Sequence, residues 1–352
     1  MVFILSFGIS HSQLNDRFIY HPENRFGSQL QFSPISVFIN GSYDILRNGG
    51  VGNDITKLSY GNGFQNLQNN LAHPFENISL YNKQSGHNFF TEQILPKNIH
   101  TEKAACVPNY QSHLIGEGLV TRQLAEWYQA RGIKYPYAAA ILNQFATQLM
   151  NEVVENGNYI GNNIDPIADL YIFNPLGWLL FSWDPAAKFF GQNLHFAVWS
   201  PQPLINPMNR NLSNAGEEYV IKIDLPYSEN YQMFYSWGID GNFGLTKKWQ
   251  KGWNTSLGAG RVADNLTYQK LSQSRFVSAE LKPQILFCID RNNSLLMSLA
   301  QIGFTEANFR LNVYPGLISN SGFGGFLGWS PFSGPQLGIN YSAIPLGLFA
   351  GG

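Results

Sequence analysis

Four carboxylates crowd one short stretch of a chain that is otherwise poor in charge. Glu152, Glu155, Asp165 and Asp169 fall within eighteen residues, with His113 ahead of them and Asn174 just behind. These residues supply every ligand type of a metal site, and also the parts of a carboxylate–histidine acid/base pair. Carboxylates confined in a semi-enclosed site repel one another. Such a cluster either binds a cation or drives at least one pKa towards neutrality. The plainer alternative is that Glu152 and Glu155 end one helix, Asp165 caps the next, and all face water. The candidate catalytic set is therefore His113, Glu152, Glu155 and Asp169, with a divalent metal left open and no other cofactor evident. The chain has no Gly-Lys-Ser/Thr phosphate loop, no Cys-x-x-Cys pair and no G-x-S-x-G elbow. That argues against nucleotide, zinc-ribbon and α/β-hydrolase chemistry.

The elements that position these side chains read as helices. Glu152 and Glu155 are three apart and share a helix face. "SHLIGEGLVTRQLAEWYQARG" has helical periodicity and stops at Gly132, a natural C-terminal cap. "PYAAAILNQFATQLMNEVVEN" opens on Pro136, which suits an early helix position. "DPIADLYIFNPLGWLLF" predicts a third helix with Asp165 as N-cap and Pro166 at the first turn. Its Asn174-Pro-Leu-Gly177 reads as the break before the chain enters a sheet. Residues 111–190 are thus expected to form a helical insertion of two or three helices. Ahead of it, "PISVFINGSYDIL" alternates and predicts a strand over 34–46, and the Asn-, Gly- and Gln-rich residues 47–110 read as an irregular loop region.

The second half alternates with a period of two. In "QMFYSWGIDGNFGLT", Met233, Tyr235, Trp237, Phe243 and Leu245 lie opposite Ser236, Asp240 and Asn242. "FVSAELKPQILFCID" and "EANFRLNVYPG" repeat the pattern. Only 13% of residues are charged, against roughly 25% in ordinary soluble domains, while 14% are aromatic and 34 are glycine. No window approaches the ~18 consecutive apolar residues of a membrane-spanning helix. These features predict a mainly β protein, an antiparallel transmembrane β-barrel of about ten to twelve strands. Alternation alone is equally that of a soluble sheet, and the length of the apparent strands tips the reading towards the barrel. Trp249, Trp253, Tyr314 and Trp329 are expected at the membrane interfaces. The net charge of −1, from 22 basic and 23 acidic residues, leaves no electrostatic footprint for nucleic acid. The opening "MVFILSFGISHSQ" reads as residues 1–12 of a secretory signal, with 13–352 as one barrel domain. Cys106 and Cys288 alone do not establish a disulfide.

"NNLAHPFENISLYN", the Glu-x-x-Glu pair and "DPIADLYIFNPLG" resemble a family of bacterial outer-membrane barrels known as a domain of unknown function. The matching positions are Asn70, His73, Pro74, Tyr81 and Asn82, then Glu152 and Glu155, then Pro166, Asp169, Leu170, Pro175 and Gly177. The order His113, Glu152-x-x-Glu155, Asp169 to Asn174 is also similar to the VanZ-type pattern. There, however, Gln stands for Glu155, the Asp-to-Asn interval is one residue shorter, and Asp-Lys precedes the His. The resemblance implies a bacterial outer-membrane location and membrane lipid as partner, and it adds His73, Asn82 and Asn174 as candidate ligand-binding residues. The expected role is binding or handling a lipid or other small envelope ligand at the His/Glu/Asp cluster. The alternative is an outer-membrane enzyme acting on a lipid ester or phosphoester through a carboxylate–His pair or a metal-activated water.

Overall fold

Ser33 and Pro34 decide the first element. The Ser33 hydroxyl accepts from the Ser36 backbone N–H at 3.2 Å, and the Ser36 hydroxyl accepts from the Ser33 N–H at 2.8 Å. This reciprocal cap, with proline in the first turn, starts a helix. Residues 34–42 are therefore helical, and not the strand that their alternation predicts. The structure, a computed structural model, describes residues 16–48, 54–85, 88–95, 108–158, 163–271, 274–303, 308–318, 321–331 and 334–351. The expected signal and Cys106 lie outside them, while Cys288 is a free, buried thiol.

The helices are α1 (Gly27–Gln31), α2 (Pro34–Ser42), α3 (Tyr60–Ala72) and α4 (Pro74–Ser85), then α5 (Glu117–Gln129) and α6 (Pro136–Glu155). They continue through α7 (Asp165–Ala168), α8 (Asn174–Ser182) and α9 (Asp184–Lys188). Part of the region read as an irregular loop is thus α3 and α4. Their Asn and Gln content hides a buried stripe of Gly63, Asn66, Leu67 and Asn70 at helical spacing. Asn66 donates to the Asn156 carbonyl at 2.9 Å, and Leu67 packs with Val153 and Leu170. The helices precede every strand of the sheet, so they form an N-terminal half and not an insertion. Asp165 is the first residue of α7 and caps nothing; Asn163 Oδ1 instead accepts from the Asp165 N–H at 3.1 Å. The Asn-Pro-Leu-Gly stretch continues the helix, because Pro175 sits in the first turn of α8, where its missing N–H costs nothing. Gly177 lets α8 close on the segment before α5. A Cβ there would lie 2.5 Å from the Leu114 carbonyl oxygen.

A fully buried ion pair holds these helices together. Arg122 Nε donates to Glu126 Oε1 at 2.9 Å, and Arg122 Nη1 to Asp184 Oδ1 at 2.7 Å. The Glu126 carboxylate also accepts the backbone N–H groups of Phe18, Ile19 and Tyr20 at 2.9, 2.9 and 2.7 Å. Every strong donor and acceptor of the pair is engaged, which is the condition for burying charge without a large penalty.

Ten strands follow as an antiparallel meander, β4 (Glu218–Asp224) to β13 (Ile344–Gly351), flanked by the two-residue strands β1 (Ala197–Val198), β2 (Leu204–Ile205) and β3 (Leu212–Ser213). The order is β1, β4 to β13, β2, β3, with β13 and β2 parallel. The stretch read as one strand at 232–246 is two, β5 (Tyr231–Gly238) and β6 (Asp240–Lys248), folded at Gly238 with φ 133°. No pairing closes the sheet into a barrel among the described residues. It is nevertheless bent back on itself. Laid flat, β4 to β3 would span ~50 Å at the usual strand spacing. Yet β3 reaches β4 through residues 214–217, a reach of at most ~18 Å.

The sheet has an apolar face and a mixed one. At β4 and β5 the apolar face is covered by the helices, where Tyr219, Ile221, Tyr235 and Trp237 join their core. The opposite, inner face encloses polar groups beside an apolar cluster of Val220, Phe234, Leu286, Cys288 and Ala300. Ile223, Met233, Leu245, Leu257, Phe287, Leu299, Leu311, Leu327 and Leu337 are direct partners in turn across β4 to β12. None of them is buried, and Leu257 is 59% exposed. On the inner face, Gln232, Thr246, Ser256, Asp290 and Asn312 are buried, and Lys222 is fully enclosed. Lys222 Nζ donates to Asp290 Oδ2 at 2.6 Å and lies 4.8 Å from the centre of the Trp199 ring. Of the four aromatic residues expected at membrane interfaces, Trp249 and Trp329 are exposed and Trp253 is half-buried, whereas Tyr314 is buried and donates to the Ser200 carbonyl at 3.0 Å. Glu126→Ala is expected to destabilise the chain by ~3–5 kcal/mol, because it strands a buried guanidinium and three N–H groups. Equilibrium urea unfolding checks this; a midpoint equal to the parent's rules it out.

Candidate functional site

The His113 side chain stands in the π-helical segment Asn109–Gly116, one turn ahead of Glu117 on α5. Asp169 begins a second π-helical segment, Asp169–Phe173, between α7 and α8. Such wide turns recur at functional sites because they re-aim a side chain from within a helix. Here they turn His113 and Asp169 towards each other. His113 Nδ1 lies 2.7 Å from Glu117 Oε1, close but not aligned as a hydrogen bond, and Nε2 lies 3.5 Å from Asp169 Oδ2. Both carboxylates are buried and the imidazole nearly so. Burial alone favours a neutral ring, but Asp169 and Glu117 outweigh it and hold the His113 pKa well above its ordinary value.

More acids surround this pair. Glu152, on the inward face of α6, is buried and accepts from Asn156 Nδ2 at 3.0 Å. Burial, reinforced by Asp169 and Glu155, pushes its pKa well above the carboxylate range. Burial does the same to Asp169 and outweighs the pull of His113. Asp165 is raised by burial too. Asp44 accepts from Asn151 Nδ2 at 2.7 Å, and burial lifts its pKa to about 6. One imidazole thus faces an excess of carboxylates, and burial raises the pKa of several of them.

Several buried polar atoms here have no hydrogen-bond partner among the described residues. Both side-chain atoms of Asn174 are in this state, as are Asp169 Oδ1, Glu117 Oε2 and the Gln144 amide. Asn174 opens α8 directly after the π-helical segment that starts at Asp169. Each such group costs ~1–3 kcal/mol unless something satisfies it.

The structure brings His113, Asp169 and Glu152 into one buried cluster, with Glu155 electrostatically close at its edge. His73 and Asn82 lie elsewhere. His73 is exposed at the α3–α4 junction, 3.7 Å from Glu76, and Asn82 Oδ1 accepts from the Phe89 N–H at 2.8 Å, tying α4 to the next turn. Two members escape the sequence reading. Glu117 is signalled only by its four-residue spacing from His113, and Asp44 falls on the segment read as a strand. Among the described residues, no three His, Cys, Asp or Glu side chains are grouped as a metal site would need. No protein-family model, no curated protein and no solved structure matches the chain.

The geometry limits the chemistry. An imidazole whose two nitrogens both face carboxylates is held as an imidazolium and offers no lone pair to a substrate. Removing one partner is expected to show this. Asp169→Asn lowers the His113 pKa, read by NMR titration of the ring. The sign follows from a raised histidine pKa. Its stabilisation is complete below the unfolded pKa and disappears as pH rises through the folded one, so the variant loses it at lower pH. Asp44 has the same sign. Its folded pKa is raised, so the folded state holds the extra proton between the unfolded pKa and about 6, and stability falls as pH rises through that window. Asp44→Asn is expected to flatten the fall by up to ~3 kcal/mol in denaturation at pH 4 and pH 7. An unchanged pH slope contradicts it.

Proposed function

We propose that this chain is a bacterial outer-membrane β-barrel protein that binds a lipid or other small envelope ligand at the buried His113 cluster of its helical half. One observation carries the membrane part: a row of nine apolar residues runs in register across β4 to β12 with none of them buried, while the opposite face encloses Lys222, Asp290 and buried amides beside an apolar cluster. A soluble sheet buries its apolar face; a sheet in lipid turns it outwards. Low overall charge and the glycine-rich strands agree with that reading. In it, the segment 199–203 and the short strands β1 to β3 fill the gap between β4 and β13.

The unpartnered Asn174 amide and Asp169 Oδ1 support binding over catalysis. They offer donors and acceptors to a polar headgroup or small polar molecule, beside acids that can take up or release protons. A general base on His113 is disfavoured because both of its nitrogens are occupied by charge.

The two parts are tested separately. Leu257→Arg is expected to cost ~2–4 kcal/mol of folding stability in detergent or lipid. It should also reduce heat-modifiable mobility on gels, a sign of an intact membrane barrel. A chain that partitions into the aqueous phase, with Leu257→Arg folding as well as the parent, sinks the barrel. For the site, molecules that copurify with the parent and with Asn174→Ala are compared by mass spectrometry. The expected result is loss of a species from the variant; identical profiles sink the binding role.

A further inference from the structure

Helices α6 and α8 present apolar surface that no part of the described chain covers. On α8 the exposed residues Leu176, Leu179, Leu180 and Trp183 recur at helical spacing, and Trp183 is 62% exposed. On α6 they are Leu142, 69% exposed, and Phe145. The two stripes adjoin, because the Phe145 and Trp178 rings meet edge-on with centroids 6.3 Å apart. Tyr137 also donates to the Trp178 carbonyl at 2.5 Å, locking the helices side by side. Soluble surfaces scatter such residues singly; a contiguous patch marks a contact surface.

Charge around the patch identifies the partner. Arg131 and Lys134 are exposed in the α5–α6 turn, and Lys188 is exposed at the end of α9. From 130 to 150 the chain has no acid at all. From 170 to 193 it has only Asp184, which shares the Arg122 guanidinium with Glu126. Leu and Trp on one face with Arg131, Lys134 and Lys188 at the rim is the composition of a surface that lies in a lipid interface. Cations there favour anionic headgroups by about 1 kcal/mol each when close to the surface.

We infer that the α6–α8 face of the helical half docks onto an anionic phospholipid leaflet, with Leu142, Leu179 and Trp183 in the acyl boundary and Lys134 and Lys188 at the headgroups. This contact uses residues separate from the outward rows of the sheet. It holds the buried cluster close to lipid, since Asn174 and the exposed Leu176 belong to the same turn of α8.

Spin labels test the surface. Leu179→Cys and Leu142→Cys are made in the full chain with Cys106→Ser and Cys288→Ala, and the protein is placed in vesicles of phosphatidylcholine with phosphatidylglycerol. The expected result is an oxygen-to-nickel-chelate collision ratio several-fold above that of a label at exposed Lys57. The ratio at Leu179 falls when Lys134→Glu and Lys188→Glu are added, or when phosphatidylglycerol is omitted. Labels at Leu179 and Leu142 that collide freely with the nickel chelate overturn the inference. So do labels shielded from both reagents, which is the signature of a second copy or another protein on this face. A label at Leu257 separates this result from the barrel reading. Lipid exposure at Leu257 with water exposure at Leu179 overturns only the helical contact, and the reverse overturns only the barrel.

Discussion

The Arg122–Glu126 pair is the interaction on which the helical half depends. It sits one turn apart on α5, has no contact with water, and reaches into segments far apart in sequence. Glu126 gathers the backbone of Phe18 to Tyr20, while Arg122 takes Asp184, the Phe181 carbonyl and the Asp16 carbonyl. The guanidinium also stacks 5.1 Å from the Phe18 ring centre. Because α5 begins at Glu117 and α8 ends just before Asp184, the pair sets the spacing between the helix that carries Glu117 and the one that carries Asn174. The candidate site inherits its shape from this latch. Gly118 and Gly177 complete it by allowing the two backbones to touch.

The sheet meets that latch at one end. Trp237 donates to the Gln111 carbonyl at 2.8 Å, Gln111 hydrogen-bonds the Tyr235 hydroxyl, and Gly116 leaves room for the Tyr219 ring. The segment that holds His113 is therefore seated directly on β4 and β5. That contact lies on the apolar face, in register with Ile223 and Met233, whereas the inside of the sheet holds charges of its own. Lys222 and Asp290 pair across it, Asn254 donates to Asp290 Oδ1 at 2.9 Å, and the Thr246 and Ser256 hydroxyls lie 2.7 Å apart. Polar side chains at these positions are tolerable only because the strands curve round to enclose them together.

Much of this was legible in the sequence, though not always for the reason first given. The alternation of β8 (Ser274–Arg291) and β10 (Asn308–Val313), the left-handed Gly132 just past α5 and Pro136 in the first turn of α6 follow directly from residue type. Strand length, which favoured a membrane barrel over a soluble sheet, is a poor guide here. Most strands have six to nine residues, and only β7 (Trp253–Leu271) and β8 (Ser274–Arg291) are long. What separates the two cases is which face is buried, and alternation does not carry that information. Residues 34–46 failed because Ile35, Val37 and Ile39 satisfy both periods over so short a run, and the decisive signal was the Ser33-Pro34-x-Ser36 cap. In α3 the low apolar content hid a helix whose buried face is largely amide.

In the site, carboxylate density pointed to the right region, but not to how the region works. Glu152 and Asp169 were visible as acids. That they converge depends on two π-helical segments, and no residue pattern in those segments announces the extra turn width. Convergence then changes what each group can do. An isolated His113 would titrate near neutrality and could serve as a base. Between Glu117 and Asp169 its pKa is held well above the ordinary value, which favours the charged ring. It attracts Glu117 and Asp169, while burial raises the pKa values of Glu152, Asp165 and Asp169. Proton uptake in this cluster is therefore assigned to the carboxylates and positioning to the histidine, the reverse of the roles that residue types alone would give.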